Sequence, residues 1–185
     1  MHAQEGSVPF HGYQTWYRIV GEDTTPSKLP LICLHGGPGI PHEYLKSLEK
    51  IAETGRRVLF YDQLGCGTSV CPNNDLPWGI ELYKDELSSL LKVLGIQNYH
   101  LLGQSWGGAI ALEHALDQPK GLKSLILASA FASTPQLNDE LAHIRKELPQ
   151  SIQDTLDKHE KDGTTQSEEY SQPPLPKGRG LEGDL

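Results

Sequence analysis

Short apolar runs alternate with helical patterns along the first two thirds of the chain. Five runs rich in apolar, aromatic or β-branched residues predict strands at 13–20, 29–34, 58–61, 99–102 and 122–128. Between the later strands, apolar residues recur every three or four positions and predict helices at 42–55, 81–94 and 106–117. We expect the strand at 13–20 to open the fold. This alternation is typical of an α/β fold with a doubly wound, mainly parallel sheet, which binds ligands at the carboxyl ends of its strands.

The pattern changes after Ala128, and no further strand-like run follows. Leucine and isoleucine recur at helical spacing from Leu137 to Leu148, and a second helical segment is predicted at 152–159. The final residues, 171–185, hold three prolines and three glycines without periodicity, so we expect disorder there. The predicted regions are a core sheet that is incomplete at the C-terminus (1–132), a helical segment (133–170) and a disordered tail (171–185).

Composition and charge exclude several classes of partner. The 185 residues carry 16 basic and 24 acidic side chains, a net charge of −8, without a cluster of Lys and Arg, so nucleic acid is not an expected partner. No apolar stretch approaches the ~20 residues that span a bilayer, so no membrane partner is expected. The N-terminus lacks the pattern of a signal peptide, and the expected location is cytoplasmic.

Metal and cofactor chemistry is not indicated either. The three cysteines, Cys33, Cys66 and Cys71, do not have the spacing of a metal site or of a disulfide framework. The glycine-rich turns match neither the P-loop nor the dinucleotide fingerprint. We therefore expect no metal and no cofactor.

The stretch Gly103-Gln-Ser105-Trp-Gly107 lies directly after a predicted strand and directly before a predicted helix. In this context G-x-S-x-G predicts a sharp turn that lifts the serine hydroxyl above the sheet, while the two glycines let strand and helix pass closely. The free N–H groups of the helix N-terminus then lie beside the hydroxyl. A strand–helix turn that merely contains a serine is the alternative. Ser105 is the candidate nucleophile.

A second glycine-rich turn, HGGPG at 35–39, follows the predicted strand at 29–34. In acyl transfer, negative charge develops on a carbonyl oxygen, and fixed backbone N–H groups stabilise it. One expected donor is the N–H of Trp106, and the other is that of Gly36 or Gly37. We expect His35 to brace the turn.

Three motifs in order, LHGGPG, YDQLGCGTS and LGQSWGGAIALEHA, resemble the proline iminopeptidase family of α/β-hydrolases, and within it the L-amino acid amidases and tricorn-interacting aminopeptidases. The resemblance covers about residues 8–170. It implies an α/β-hydrolase fold and a serine hydrolase that releases an N-terminal residue, often proline, from a short peptide or an amino acid amide. It also implies Ser105 as nucleophile, Trp106 with the Gly36–Gly37 turn as oxyanion hole, and Asp62 and Gln63 as structural supports.

The family also has a helical cap that carries acidic residues for the free amino group of the substrate. Residues 135–170, with nine acidic and four basic side chains, resemble the start of that cap. A solvated helix face explains the same charges.

The acid and the histidine base of an α/β-hydrolase follow the nucleophile, at the ends of later strands. Because no strand-like run follows Ala128, neither can be assigned here, and His114 lies roughly 13 Å along the helix from Ser105. We therefore expect the chain to be inactive as it stands, with an end near Ser171 that looks truncated. A non-catalytic fragment or interaction module is one alternative, and an esterase on the same scaffold is another. The preferred N-terminal residue and the oligomeric state stay open.

Overall fold

Six strands form one mixed sheet in the computed structural model, which describes residues 2–22, 28–72 and 75–173. The strands are β1 (Ala3–Phe10), β2 (Tyr13–Val20), β3 (Leu31–Leu34), β4 (Val58–Tyr61), β5 (Tyr99–Gln104) and β6 (Leu122–Ala128). Their order across the sheet is β1-β2-β4-β3-β5-β6. The pairs β1–β2 and β2–β4 are antiparallel, whereas β4, β3, β5 and β6 run parallel. The predicted α/β fold with a mainly parallel sheet is confirmed.

The expectation that the strand at 13–20 opens the fold is wrong, because β1 precedes it. Only two of the eight residues of β1 are buried, and Gly6 and Pro9 interrupt its apolar pattern. β1 pairs with β2 along its whole length, and the turn between them, His11–Gly12, has two positive φ angles (46° and 82°). Positive φ at both central residues is typical of a type I′ hairpin turn. Hairpin pairing therefore defines this strand more than burial does.

Helices cover both faces of the sheet, as a doubly wound fold requires. They are a 3₁₀ helix (His42–Thr54), α1 (Ile80–Val93) and α2 (Trp106–Leu116). Every residue of β3 and β4 is buried, and alternate residues enter two separate clusters. One cluster, with α1 and α2, contains Ile32, Leu34, Leu59 and Tyr61. The other, with the 3₁₀ helix, contains Leu31, Cys33, Val58 and Phe60.

The chain divides into two units, 1–132 and 133–185. The second contains α3 (Thr134–Glu147), α4 (Gln150–Asp162) and the short α5 (Glu168–Ser171). The Ser133 side chain accepts a hydrogen bond from the Gln136 N–H and caps α3, as the sequence suggests. Of the tail expected to be disordered, Ser171 ends α5, and 174–185 lie outside the described residues. The interpretation of 133–170 as a cap stays a prediction.

Within the described part of the chain, no helix combines the length and the apolar character needed to cross a bilayer.

Candidate active site

Ser105 occupies the sharp turn between β5 and α2. Its backbone angles are φ 51° and ψ −117°, a region that residues with a side chain rarely adopt. β5 ends at Gln104 and α2 begins at Trp106, so this one residue carries the whole change of direction. Gln104, Ser105 and Trp106 are partly exposed, whereas Gly103 and residues 107–111 are buried. We call residues 103–107 the Ser105 elbow.

The two glycines of the elbow are required by close backbone contacts. A Cβ atom at Gly103 would lie under 3.0 Å from the backbone of Gly107 and Gly108. A Cβ atom at Gly107 would lie equally close to the carbonyl oxygens of Leu34 and His35. The first glycine therefore lets α2 start directly over β5, and the second lets α2 lie against the end of β3.

The HGGPG turn lies against the elbow because β3 and β5 are neighbours. Leu34 pairs with Gly103, so both strands end at the same edge of the sheet. A Cβ atom at Gly36 would lie 3.1 Å from the Cβ of Ser105. Gly37 has φ 112°, a conformation that favours glycine. The structure thus brings the two sequence-predicted turns together.

Tyr44, which the sequence analysis did not single out, connects the two turns. The Gly36 N–H donates to the Tyr44 hydroxyl (2.6 Å), which donates to Oε1 of Gln104 (2.5 Å). Desolvation raises the pKa of Tyr44, although the hydrogen bond from Gly36 opposes the effect. The Gly36 N–H is thus engaged in this contact, whereas the Gly37 N–H has no hydrogen bond among the described residues.

His35 and Gln63 stabilise the HGGPG turn through three hydrogen bonds. The Gln63 N–H donates to His35 Nε2 (2.9 Å), so Nδ1 carries the proton and donates to the Gly36 carbonyl (2.9 Å). The Gln63 side chain donates from Nε2 to the His35 carbonyl (2.7 Å). Burial lowers the pKa of His35, which favours the neutral imidazole that this geometry needs. Both ring nitrogens are thus occupied in bracing the loop.

The sequence of this chain matches a known protein family. The family model described as the alpha/beta hydrolase fold matches residues 30–172. The chain belongs to the α/β hydrolase fold family. In hydrolases of that fold, a G-x-S-x-G turn between a strand and a helix carries the nucleophile.

Two curated relatives of this α/β-hydrolase chain are named proline iminopeptidase. A proline iminopeptidase of Clostridium botulinum is 45% identical over 173 residues, which are 93% of this chain and 59% of the relative. That of Lactobacillus delbrueckii subsp. lactis is 43% identical over 92% of this chain and 58% of its own length. The chain thus spans somewhat less than three fifths of these relatives.

Two solved structures show the same architecture. The structure of VinJ superposes with a TM-score of 0.83 at 44% identity, over 91% of this chain and 57% of VinJ. The proline iminopeptidase of Mycobacterium smegmatis superposes with a TM-score of 0.74 at 40% identity, over 91% of this chain and 58% of that one.

Asp62 anchors the loop after β4 of this α/β-hydrolase chain. Its Oδ1 accepts hydrogen bonds from the backbone and Nδ1 of His42 (3.1 and 2.7 Å), and its Oδ2 accepts one from the Thr68 N–H (2.9 Å). Burial alone would raise the pKa of Asp62, but these hydrogen bonds hold it below its ordinary value. Ligand atoms of His42, Glu43 and Asp62 lie within 4.8 Å of one another, a spacing that a metal could use. Hydrogen bonds from His42 and Thr68 already occupy both oxygens of the Asp62 carboxylate.

Glu86 is a second residue that the sequence analysis missed. It is 1% exposed, accepts a hydrogen bond from Thr15 Oγ1 (2.5 Å), and receives the Leu64 N–H on both oxygens (3.0 and 3.1 Å). Burial raises its pKa to about 7, against the effect of these hydrogen bonds. Glu86 thereby ties α1 to β2 and to the loop that carries Gln63. The available signal was an acidic residue four positions from Leu82 and from Leu90 on the apolar face of α1.

Two other histidines near the sheet are bonded to groups other than Ser105. His114 Nε2 lies 2.5 Å from the Tyr99 hydroxyl, and His100 Nδ1 lies 2.7 Å from Ser124 Oγ. His2 and His11 are exposed on the β1 hairpin. Among the described residues of 2–132, no histidine has a recorded hydrogen bond to Ser105.

Proposed function

We propose that the chain carries the nucleophile half of a serine hydrolase of the proline iminopeptidase type. Its substrates would be short peptides or amino acid amides, from which it releases an N-terminal proline or another L-amino acid. Ser105 would be the nucleophile, with the N–H groups of Trp106 and Gly37 as oxyanion donors.

One observation carries this proposal: Ser105 has a positive φ at a strand–helix junction, and the Gly36–Gly37 turn lies directly against it. This geometry supports acyl transfer because the serine oxygen can attack a carbonyl carbon while the carbonyl oxygen gains negative charge beside backbone donors. Loss of one such donor costs about 10²–10³ in rate in hydrolases of this kind. The names of the relatives supply the substrate class.

The proton of the serine hydroxyl must move to a base, and the collapse of the tetrahedral intermediate must return a proton to the leaving amine. No histidine among the described residues of 2–132 has a recorded hydrogen bond to Ser105, and His35 uses both nitrogens in the loop. This observation favours a second candidate, in which the 185-residue chain binds substrate and does not turn it over.

Hydrolysis of proline p-nitroanilide by the purified chain and by Ser105→Ala separates these candidates. Turnover that disappears in Ser105→Ala supports the hydrolase. Turnover that survives the substitution contradicts it, and no turnover by either chain supports the binding candidate. A parallel assay with a p-nitrophenyl acyl ester tests the esterase, which would show faster ester than arylamide hydrolysis, again dependent on Ser105.

A further inference from the structure

A series of hydrogen bonds leads from α1 to the HGGPG turn. It begins at Glu86, whose two oxygens accept from the Leu64 N–H (3.0 and 3.1 Å). The residue before Leu64 is Gln63, which donates from its N–H to His35 Nε2 (2.9 Å) and from its side chain to the His35 carbonyl (2.7 Å). We call these four residues the Glu86 relay.

The Glu86 relay ends at the proposed oxyanion donor. His35 Nδ1 donates to the Gly36 carbonyl (2.9 Å). This carbonyl and the Gly37 N–H belong to one planar peptide group, so a rotation that moves the carbonyl also moves the N–H. An oxyanion donor is effective only when its N–H points at the developing charge, at about 2.7–3.1 Å. The aim of the Gly37 N–H therefore depends on where His35 holds the turn.

Burial allows the relay to transmit a displacement. All four of its residues are at most 1% exposed, and close-packed interiors pass strain on because they hold little free space. A change in the position of the Leu64 backbone therefore reaches His35 through the two hydrogen bonds that Gln63 donates.

The charge of Glu86 changes within the ordinary pH range. Burial raises its pKa to about 7, although the hydrogen bonds from Thr15 and Leu64 favour the charged form. In the carboxylate both oxygens accept, and the bond from the Leu64 N–H is charge-assisted and shorter. In the neutral form one oxygen carries the proton, and the charge assistance is lost. The two forms therefore hold the Leu64 backbone in different positions.

Titratable neighbours of Glu86 keep their protons over the same range. Tyr61 of β4, Tyr83 of α1 and Cys66 of the loop after β4 interact electrostatically with Glu86. Burial raises the pKa of each of them above its ordinary value, that of Cys66 to about 11. β2 contributes Thr15, which carries no charge. The charge that changes near pH 7 at this end of the relay is therefore that of Glu86.

We infer that Glu86 is a positioning residue for the Gly37 N–H, and that the loss of its proton re-aims this donor through the Glu86 relay. The inference rests on the proposed function for the role of the donor. The HGGPG turn then has one form when Glu86 is neutral and another when it is charged, and the rate of attack by Ser105 depends on which form is present.

The sequence offers a direct reporter of this movement. Glycine labelled with ¹³C at the carbonyl and ¹⁵N at the amide gives a carbonyl–amide correlation peak only where two glycines are adjacent, at Gly36–Gly37 and Gly107–Gly108. The first peak reports the carbonyl that His35 bonds and the donor N–H itself. The second belongs to α2, outside the relay, and is the internal control. Sequential triple-resonance spectra assign the two peaks.

From about pH 5.5 to 8.5, the Gly36–Gly37 peak of the wild-type chain should move with a midpoint near pH 7. Glu86→Gln should lose this transition, whereas Asp85→Asn, which removes an exposed carboxyl from the same turn of α1, should keep it. Groups beside the turn, such as His42 and Asp62, are present in every chain, so the comparison cancels their titration. The Gly107–Gly108 peak should not show the transition.

Thr15→Val is a second variant that does not depend on the stability of Glu86→Gln. The hydrogen bond from Thr15 lowers the pKa of Glu86, so its removal should move the midpoint of the Gly36–Gly37 peak to higher pH. An unmoved midpoint would contradict the assignment of the transition to Glu86.

The rate at which a fluorophosphonate labels Ser105 connects this movement to the chemistry. The quotient of the wild-type and Glu86→Gln rates removes the pH dependence that the two chains share. Complete loss of one oxyanion donor costs about 10²–10³ in rate, so a re-aimed donor should change the quotient by about threefold or more across pH 7. The quotient of the wild-type and Asp85→Asn rates should stay constant.

The same transition of the Gly36–Gly37 peak in the wild-type chain and Glu86→Gln would overturn the inference, and so would a constant rate quotient for Glu86→Gln. Failure of the proposed function looks different. In that case Ser105 is not labelled in any chain, and the glycine peak still decides whether Glu86 positions the turn.

Discussion

The buried carboxyl of Glu86 gives the fold a pH dependence that one substitution should remove. Glu86 is enclosed by α1, β2 and the loop after β4, and its partners Thr15 and Leu64 carry no charge. In Glu86→Gln, the amide oxygen can still accept from the Leu64 N–H, and the NH₂ group can donate to Thr15 Oγ1. The variant therefore keeps the size of the side chain and one acceptor for the Leu64 N–H, and it loses the titration of the carboxyl.

The size of the effect follows from the pKa of Glu86, about 7 in the folded chain against an ordinary 4.5. Between these pH values the folded chain holds a proton that the unfolded chain has released. The free energy of unfolding should therefore fall as pH rises through this window, by about 1.4 kcal/mol per pH unit and about 3 kcal/mol in all. The contribution of the neutral Glu86 carboxyl to the free energy of unfolding is complete below pH 4.5 and lost above pH 7. Burial also raises the pKa values of Tyr61 and Tyr83 above their ordinary 10, so their hydroxyls stay neutral throughout.

Urea unfolding, followed by tryptophan fluorescence from pH 4.5 to 8, measures this difference. Relative to the wild-type chain, Glu86→Gln should gain about 3 kcal/mol between the two ends of the range. Asp85→Asn, which removes an exposed carboxyl from the same turn of α1, should show no such gain. A gap between wild type and Glu86→Gln that stays constant across the range would refute the reasoning.

Three further substitutions test the loops and the sheet edge. Gly107→Ala should lower the free energy of unfolding by about 3 kcal/mol or more in a urea titration, since its Cβ meets backbone that cannot move away; a cost under about 1 kcal/mol would contradict the close contact. Asp62→Asn presents an NH₂ group to either the Thr68 N–H or His42, so it should cost about 1–3 kcal/mol, and an unchanged urea midpoint would count against that role. Leu127 is 43% exposed on the edge strand β6, and an exposed apolar edge promotes association between chains. Leu127→Lys should therefore reduce light scattering at high concentration. Unchanged scattering would show that β6 is not the surface through which the chains associate.

The parallel core could be predicted because its sequence signals are local. β3 and β4 are continuous apolar segments, and such segments are typical of strands buried on both faces. The elbow could be predicted for the same reason, since its glycines and its place between a strand and a helix are visible within a few residues. The antiparallel β1 could not, because its pairing partner defines it and most of its side chains face solvent.

The contacts that brace the site were less visible in the sequence. Tyr44 is eight residues from Gly36 and sixty from Gln104, so only the fold brings these three together. Glu86 reaches Thr15 across seventy-one positions. The helical spacing of apolar residues predicted helix α3 correctly. Its apolar face is nevertheless not buried, since Leu141 and Ile144 are each 54% exposed. The period of the apolar residues predicts a helix, but it does not predict which element the helix packs against.

The central claim, that the Ser105 elbow presents a nucleophile, is tested most directly by covalent labelling. The purified chain and Ser105→Ala are incubated with a fluorophosphonate, digested, and mapped by mass spectrometry. Oxyanion donors and binding alone retain about 10³–10⁴-fold catalysis when a triad member is removed. We therefore predict an adduct that forms on Ser105 faster than on any other serine, even without a bonded histidine, and that is absent from Ser105→Ala. An adduct spread equally over the other serines, or none on Ser105, would contradict the account.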